Sequence, residues 1–172
     1  MSMREADHKR LRFLGLTAAV LAFVADQASK IALLYGAGFR DMGPGENVPL
    51  LPFFDLVMVW NRGVSYGLFA ADGIWGTVAL IGVTGGVVAF MGWYLWKYAG
   101  SAVVAAGCGL IIGGGLGNLL DRLIYGAVAD FFHFYAFDYD WYVFNIADVA
   151  VTMGAVTFIY DVLKPPESSK DA

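Results

Sequence analysis

The sequence predicts a helical membrane protein, and its composition and the length of its apolar runs point to this class. Of its 172 residues, 59% are hydrophobic and 15% are charged, and its mean hydropathy is +0.62. Soluble domains are usually less apolar and more highly charged. Several runs come close to the roughly 20 residues that a helix needs to cross a bilayer. We therefore predict an all-α membrane protein in which four transmembrane helices occupy residues 11–34, 74–96, 102–120 and 142–163 of one domain, residues 1–164.

The first apolar run has some features of a secretory signal sequence, because it follows the basic residues Arg4, Lys9, Arg10 and Arg12. However, it is longer than the roughly 7 to 15 residues of a signal core, and it ends in DQASK instead of a small-residue cleavage site. We therefore interpret it as a retained first span.

A segment of different character, residues 36–73, separates the first two predicted spans. Its glycines and prolines exclude a continuous helix, and its centre, FFDLVMVW, has the aromatic and β-branched content of a strand. We predict a small β-rich extracytoplasmic segment that rests on the outer membrane surface. The final sequence, KPPESSKDA, predicts a disordered cytoplasmic tail over residues 165–172.

A second connecting segment, residues 131–144, is dominated by aromatic side chains. Tyrosine and tryptophan combine an apolar ring with a polar group, so they favour the boundary between membrane and water. We interpret this segment as an interfacial belt before the fourth span. Its aromatic residues are Phe131, Phe132, Phe134, Tyr135, Phe137, Tyr139, Trp141, Tyr142 and Phe144.

The distribution of charge predicts the orientation of the chain. Most basic residues lie near the two termini or in the short turn at Lys97, whereas most acidic residues lie at the opposite ends of the spans. Because cytoplasmic loops are enriched in lysine and arginine, we place both termini in the cytoplasm. The net charge of −4 and the lack of a basic stretch on the outer side argue against nucleic acid as a partner. The single cysteine, Cys108, excludes a disulfide within the chain.

Ionisable residues near the outer ends of the spans require an explanation, since charges inside a membrane are costly and usually face the protein interior. Asp26, Ser29 and Lys30 share one face of the first span by their spacing. A local ion pair is the simplest interpretation. A Ser/Lys hydrolase pair is less favoured, because adjacent side chains on a helix point in different directions.

The third span ends in GGGLGNLLDR, which combines small and polar residues. Its four glycines allow close packing of helices, because no side chain holds the neighbouring backbone away. Asn118 shares a helical face with Asp121 and Arg122. A charge-paired helix end accounts for Asp121 and Arg122, but it accounts less well for Asn118.

Two further carboxylates, Asp130 in AVADFFHF and Asp148 in FNIADV, are predicted to lie at one membrane depth. Two acids in a poorly solvated site share a proton, and one can then activate water while the other polarises a carbonyl, as in an aspartic protease. The simpler alternative for Asp148 is a role as a helix cap. A metal site at His133 is disfavoured, because there is no HExxH motif and His8 lies on the other side.

Five motifs together resemble those of the lipoprotein signal peptidase family, or signal peptidase II, which are bacterial inner-membrane aspartic peptidases: DQASK, WNRGVSYGLF, GGGLGNLLDR, VADF and FNIAD. The resemblance covers nearly the whole chain. It implies an endopeptidase that cuts diacylglyceryl-modified prolipoproteins on the N-terminal side of the modified cysteine, at the outer face of the cytoplasmic membrane. It also implies a monomer surrounded by membrane lipids, no metal or organic cofactor, and inhibition by globomycin, which binds at the catalytic pair.

Carried over residue by residue, the resemblance implies that Asp130 and Asp148 are the catalytic pair. It also implies a group of substrate-binding or site-supporting residues: Asp26, Lys30, Asn61, Gly63, Asn118, Asp121, Arg122 and Asn145. For Arg122 we favour a structural role through Asp121 over contact with substrate backbone. Val64, Ser65 and Tyr66 depart from the family pattern of small residues followed by phenylalanine, a change that concerns the substrate groove and not the pair.

Two other classes of function explain the sequence less well. A small proton-coupled transporter or channel would distribute carboxylates along a path through the bilayer, whereas here they gather at one end and only Asp161 lies near the other. A non-enzymatic scaffold protein would leave the five motifs without an explanation.

Overall fold

Three helices are long and apolar enough to cross a membrane in the computed structural model, which describes residues 3–43, 45–63, 73–137 and 139–163. Helix α1 covers Met3–Ile31 and continues as a π-helical turn over Ala32–Gly36. Helix α2 covers Ile74–Lys97, and α3 covers Ala102–Tyr125. Helix α4, Ile146–Leu163, has 18 residues and is not one of the three. The protein is therefore a predominantly helical membrane protein, and a fourth span in α4 stays a prediction.

A small antiparallel sheet lies where α1 and α3 end and α4 begins. Its strands are β1 (Asn47–Leu51), β2 (Phe54–Asn61), β3 (Val128–Ala136) and β4 (Tyr139–Asp140), in the order β1-β2-β3-β4. The strand predicted at FFDLVMVW is β2. The sheet also extends beyond residues 36–73, because the aromatic segment supplies β3 and β4.

Cross-strand packing explains why the aromatic segment forms strands and not only an interfacial belt. Phe134 of β3 lies opposite Phe54 of β2, with ring centroids 4.6 Å apart. Aromatic pairs of this kind stabilise neighbouring strands. In addition, Phe132 and Phe144 form an antiparallel bridge, so the chain that enters α4 is bonded to β3.

The ends of the helices differ from the predicted spans for local reasons. Helix α3 runs five residues beyond the predicted end at 120 and stops at Gly126, whose φ of 72° ends a helix at little cost. Helix α4 begins at Ile146 and not at residue 142, because Asn145 caps it. The predicted tail and the departures at Val64, Ser65 and Tyr66 lie outside the described residues.

Helix α3 is the centre of the helical packing, and its glycines make this possible. It packs on α1, α4 and α2. A Cβ atom at Gly113 would collide with the backbone oxygen of Ala19 in α1, and a Cβ at Gly114 would lie 2.5 Å from the backbone oxygen of Ala147 in α4. The predicted close approach of helices at GGGLG is therefore present.

Gly117 provides a test of this packing, since a Cβ there would collide with the Asp26 carboxylate. We expect Gly117→Ala to lower the free energy of unfolding by about 1 to 3 kcal/mol, as overpacking usually does. Gly86→Ala in α2 is the matched control, because a Cβ at Gly86 meets open space. The control is expected to be neutral or stabilising by up to about 1 kcal/mol. Thermal unfolding in detergent measures both, and equal effects would contradict the proposed packing.

Candidate active site

Asp148 is fixed at the start of α4 by a reciprocal pair of hydrogen bonds with Asn145. The Asp148 N–H donates to Asn145 Oδ1 at 2.9 Å, and the Asn145 N–H donates to Asp148 Oδ2 at 3.3 Å. This is a capping box, in which two helix-terminal N–H groups are satisfied by each other's side chains. The capping role considered for Asp148 is therefore present, and its Oδ1 atom still accepts a bond from Asn118 Nδ2 at 2.9 Å.

Asp130 lies on β3, next to the end of β2. Its Oδ2 atom accepts a hydrogen bond from Asn61 Nδ2 at 2.9 Å, and its Oδ1 atom accepts one from Asn145 Nδ2 at 2.6 Å. The amide of Asn61 is itself oriented, because its Oδ1 accepts the N–H of Gly63 at 3.0 Å. Both oxygens of this buried carboxylate are thus occupied by neutral donors.

Asn145 is the residue that brings the two carboxylates together. Its side chain donates to Asp130 and its backbone N–H donates to Asp148. Asn118 connects to the same group, since it donates to Asp148 and its Oδ1 accepts from Asn145 Nδ2 at 3.1 Å. Asp130 and Asp148 therefore lie around one asparagine, and their common depth in the membrane stays a prediction.

The electrostatic environment favours a proton on this pair. The pKa of Asp130 is raised to about 7, first because burial penalises the charged carboxylate and second because the Asp148 carboxylate lies nearby. Hydrogen bonds from Asn61 and Asn145 and the charge of Lys30 act in the opposite direction. A carboxylate pair with this pKa can hold a proton near neutral pH, which acid–base chemistry requires.

A buried ion-pair network supports the site from α1 and α3. Lys30 Nζ lies 2.8 Å from Asp26 Oδ2 and 2.8 Å from Asp121 Oδ2, and it donates to Asn118 Oδ1 at 3.3 Å. Asp26, Lys30 and Asp121 are 0%, 2% and 1% exposed. The predicted pairing of Asp26 with Lys30 is present, but it is part of a larger buried network that also includes Asp121.

Arg122 has partners other than the predicted one. Its guanidinium donates to the backbone oxygens of Asn118 at 3.2 Å and Gly63 at 3.3 Å. Asp121 pairs instead with Lys30, because neighbouring residues on a helix point to different sides. A structural role for Arg122 stays a prediction, and its hydrogen bonds go to Asn118 and Gly63 and not to Asp121. Arg122 connects α3 to Gly63, which lies two residues after the end of β2.

A cavity of about 350 Å³ opens beside Asp148 and beside Asn61, which binds Asp130. Polar residues form one part of its wall: Asn61, Asn118, Arg122, Tyr142 and Asp148. Aliphatic residues of α2, α3 and α4 form another part: Leu80, Val83, Val87, Val88, Ile111 and Val151. The cavity therefore combines hydrogen-bonding groups at the carboxylates with an apolar wall among the helices.

Two alternatives for the chemistry are not supported by the local contacts. Ser29 Oγ donates to the backbone oxygen of Asp26 at 2.7 Å, and no contact joins it to Lys30 in the part of the chain that the structure describes. His133 bonds to Asp55 through Nδ1 at 2.8 Å. Within the described ranges there is no group of three or more histidine, cysteine or acidic residues arranged to hold a metal ion.

Sequence reasoning missed the contribution of Gln27. Its Nε2 atom contacts Asp26 Oδ2 at 3.0 Å and Asp121 Oδ1 at 3.2 Å, so it bridges the same two carboxylates as Lys30. A glutamine in an apolar helix next to two expected site residues was the available signal. Its neighbours on α3 could not be known from the sequence.

The fold and the site define a class: a helical membrane protein with two buried carboxylates that meet between a small antiparallel sheet and the start of a helix. Comparisons with known proteins agree with this class. A family profile described as signal peptidase (SPase) II matches residues 18–164. The lipoprotein signal peptidase of Methylorubrum extorquens (strain PA1) is 46% identical over 88% of this chain and 86% of its own length. That of Rhodopseudomonas palustris (strain TIE-1) is 45% identical over 87% and 92%.

Structural similarity extends over almost the same region. A solved bacterial membrane enzyme, determined by the in meso method at 2.3 Å resolution, matches with a TM-score of 0.78 and 25% identity over 92% of each chain. The chain belongs to the signal peptidase II family, and it is a peptidase of the membrane.

Proposed function

We propose that Asp130 and Asp148 are the catalytic pair of an aspartic endopeptidase that removes signal peptides from diacylglyceryl-modified prolipoproteins. The observation that supports this most strongly is the placement of both carboxylates around Asn145, together with the raised pKa of Asp130. In the proposed reaction the pair carries one proton. The ionised carboxylate takes a proton from water as the water oxygen attacks the scissile carbonyl, and the protonated one donates to the carbonyl oxygen.

The collapse of the tetrahedral intermediate completes the reaction. The C–N bond breaks as the leaving amine takes a proton from one carboxyl group of the pair, while the other, ionised carboxylate takes back the proton of the former carbonyl oxygen, and the signal peptide keeps the new carboxyl group. Asn118 and Asn145 hold the two carboxylates in position throughout through their amide groups. The pair thus returns to its starting state. The proposed steps use only the two carboxyl groups and water, without a metal or organic cofactor.

The apolar side of the cavity supports the proposed substrate. A lipid-modified protein keeps its acyl chains and signal helix in the bilayer, so a pair at the membrane boundary reaches the bond without extracting them. We further propose four spans, both termini in the cytoplasm, and a sheet and active site near the outer face of the cytoplasmic membrane. We also propose a single domain over residues 1–164 and a disordered tail over residues 165–172. The protein acts as a monomer in contact with membrane lipids, and globomycin inhibits it by binding at the pair.

Cleavage by purified protein in detergent tests this function directly. A diacylglyceryl-modified prolipoprotein is expected to be cut immediately before its modified cysteine, while the same chain without the lipid is cut far more slowly. Globomycin is expected to inhibit the reaction, and a metal chelator is expected to leave it unchanged. Proton flux in liposomes without any cleavage would instead favour the transporter hypothesis.

A further inference from the structure

The carboxylate of Asp26 is directed at the start of α4, although Asp26 lies far away in the sequence on α1. Its Oδ1 atom accepts the backbone N–H of Ala147 at 2.9 Å, and Ala147 immediately precedes Asp148. This N–H is one of those at a helix N-terminus that have no partner within the helix. The other oxygen, Oδ2, binds Lys30 and Gln27. Asp26 therefore fixes the backbone next to one member of the pair.

The carboxylate of Asp121 makes the equivalent contact on the other side of the site. Its Oδ2 atom accepts the backbone N–H of Ala129 at 3.1 Å, and Ala129 immediately precedes Asp130. Oδ2 also binds Lys30, and Oδ1 binds Gln27. Each member of the pair thus follows a residue whose N–H is held by a carboxylate of the same ion-pair network.

Lys30 and Gln27 connect the two halves of this arrangement. Lys30 Nζ can donate three hydrogen bonds, and its three acceptors are Asp26, Asp121 and Asn118. Gln27 Nε2 contacts both carboxylates. Because the two carboxylates share both donors, a movement of one is transmitted to the other.

We propose that Asp26, Gln27, Lys30 and Asp121 form a positioning clamp that sets the separation and orientation of the two members of the pair. The clamp acts through the backbone N–H groups of Ala147 and Ala129, which precede Asp148 and Asp130. It also acts through Asn118, whose side chain accepts a hydrogen bond from Lys30. None of its four residues needs to touch substrate. The proposal rests on the assignment of Asp130 and Asp148 as the catalytic pair.

The clamp also has an electrostatic consequence that a purely structural network would lack. The charged groups that act on Asp130 include Lys30 on α1, Arg122 on α3 and Asp148 on α4. Asp26 acts on Asp148, and Asp121 acts on Arg122. The ammonium of Lys30 favours the ionised form of Asp130. Its removal is therefore expected to move the pH optimum of cleavage to higher values.

Steady-state kinetics of Lys30→Met and Gln27→Met test the proposal. Gln27→Met keeps charge and approximate volume but loses both hydrogen bonds, so kcat is expected to fall about tenfold with KM nearly unchanged, since small displacements of reacting groups are costly. Lys30→Met is expected to lower kcat by about 100-fold or more and to shift the pH optimum upward by roughly one unit. Asp55→Asn is the matched control: it alters a buried carboxylate of β2 and is expected to keep the wild-type pH optimum.

The outcomes separate this proposal from the proposed function. Wild-type kcat in folded Gln27→Met and Lys30→Met would overturn the clamp, as would activity that falls only in proportion to the folded fraction with the pH optimum unchanged. If Lys30→Met does not fold, Gln27→Met decides the question. A lower kcat with a nearly unchanged KM supports the clamp, and a wild-type kcat overturns it. Asp130→Asn is measured in parallel, because activity in that variant would contradict the catalytic pair itself.

Discussion

Replacement of Asp130 or Asp148 by asparagine is expected to reduce kcat for prolipoprotein cleavage by about 10³-fold or more, since either change would remove one of the two groups that we propose transfer protons in the transition state. Asparagine has nearly the same shape and can still accept one hydrogen bond, so the fold is expected to persist. The measurement is single-turnover cleavage of a diacylglyceryl-modified prolipoprotein, with product mass determined for each variant.

Two other aspartates provide matched controls for these substitutions. Asp55 lies on β2, beside the strand that carries Asp130, and Asp161 lies on α4, the helix that carries Asp148. Asp55→Asn and Asp161→Asn are expected to retain cleavage. Near-normal activity in folded Asp130→Asn or Asp148→Asn would contradict the assignment of the pair.

The stability of the protein is expected to depend on pH through Asp130. Because its pKa rises from 3.8 in the unfolded chain to about 7 in the folded protein, the folded state holds more protons between these values. The free energy of unfolding therefore falls as the pH rises through this window, by on the order of 3 to 5 kcal/mol in total. The full penalty of a buried charge is present only above about pH 7.

Asp130→Asn is expected to remove most of this slope. Asparagine presents one acceptor to the two amide donors of Asn61 and Asn145, so the variant loses about 1 kcal/mol at acidic pH. Above neutral pH it avoids the buried charge and is expected to be more stable than the wild type. Thermal unfolding across the pH range gives the stability of the wild type and of Asp130→Asn as a function of pH, and the two curves are expected to cross. Asp41→Asn is the control for the loss of one exposed charge. Parallel curves for wild type and Asp130→Asn would refute this account.

Sequence reasoning predicted much of the site because each site residue belongs to a short motif at the end of an apolar run. Asp148 and Asn145 lie within FNIAD, and their capping box is a local contact that spacing alone allows. Asp26 and Lys30, four residues apart on α1, form a similarly local pair. Apolar length likewise predicted the three candidate spans.

The remaining features depend on contacts between distant segments, which a single sequence does not specify. The pairing of β2 with β3 joins two segments that are separated by α2 and α3, so the aromatic content of residues 131–144 predicts an interfacial belt but does not predict strands. The choice of Lys30 over Arg122 as the partner of Asp121 depends on how α1 packs against the glycines of α3. The bridge that Gln27 forms arises from the same packing.

The central claim is that Asp130 and Asp148 hold a shared proton when the enzyme is active. Infrared difference spectroscopy of the purified protein, titrated between about pH 4 and about pH 9, measures this proton as the carbonyl stretch of a protonated carboxyl group. We expect a signal that persists to near neutral pH, titrates at about 7 and is lost in Asp130→Asn. Identical spectra for wild type and Asp130→Asn, with both carboxylates ionised over the whole range, would contradict it.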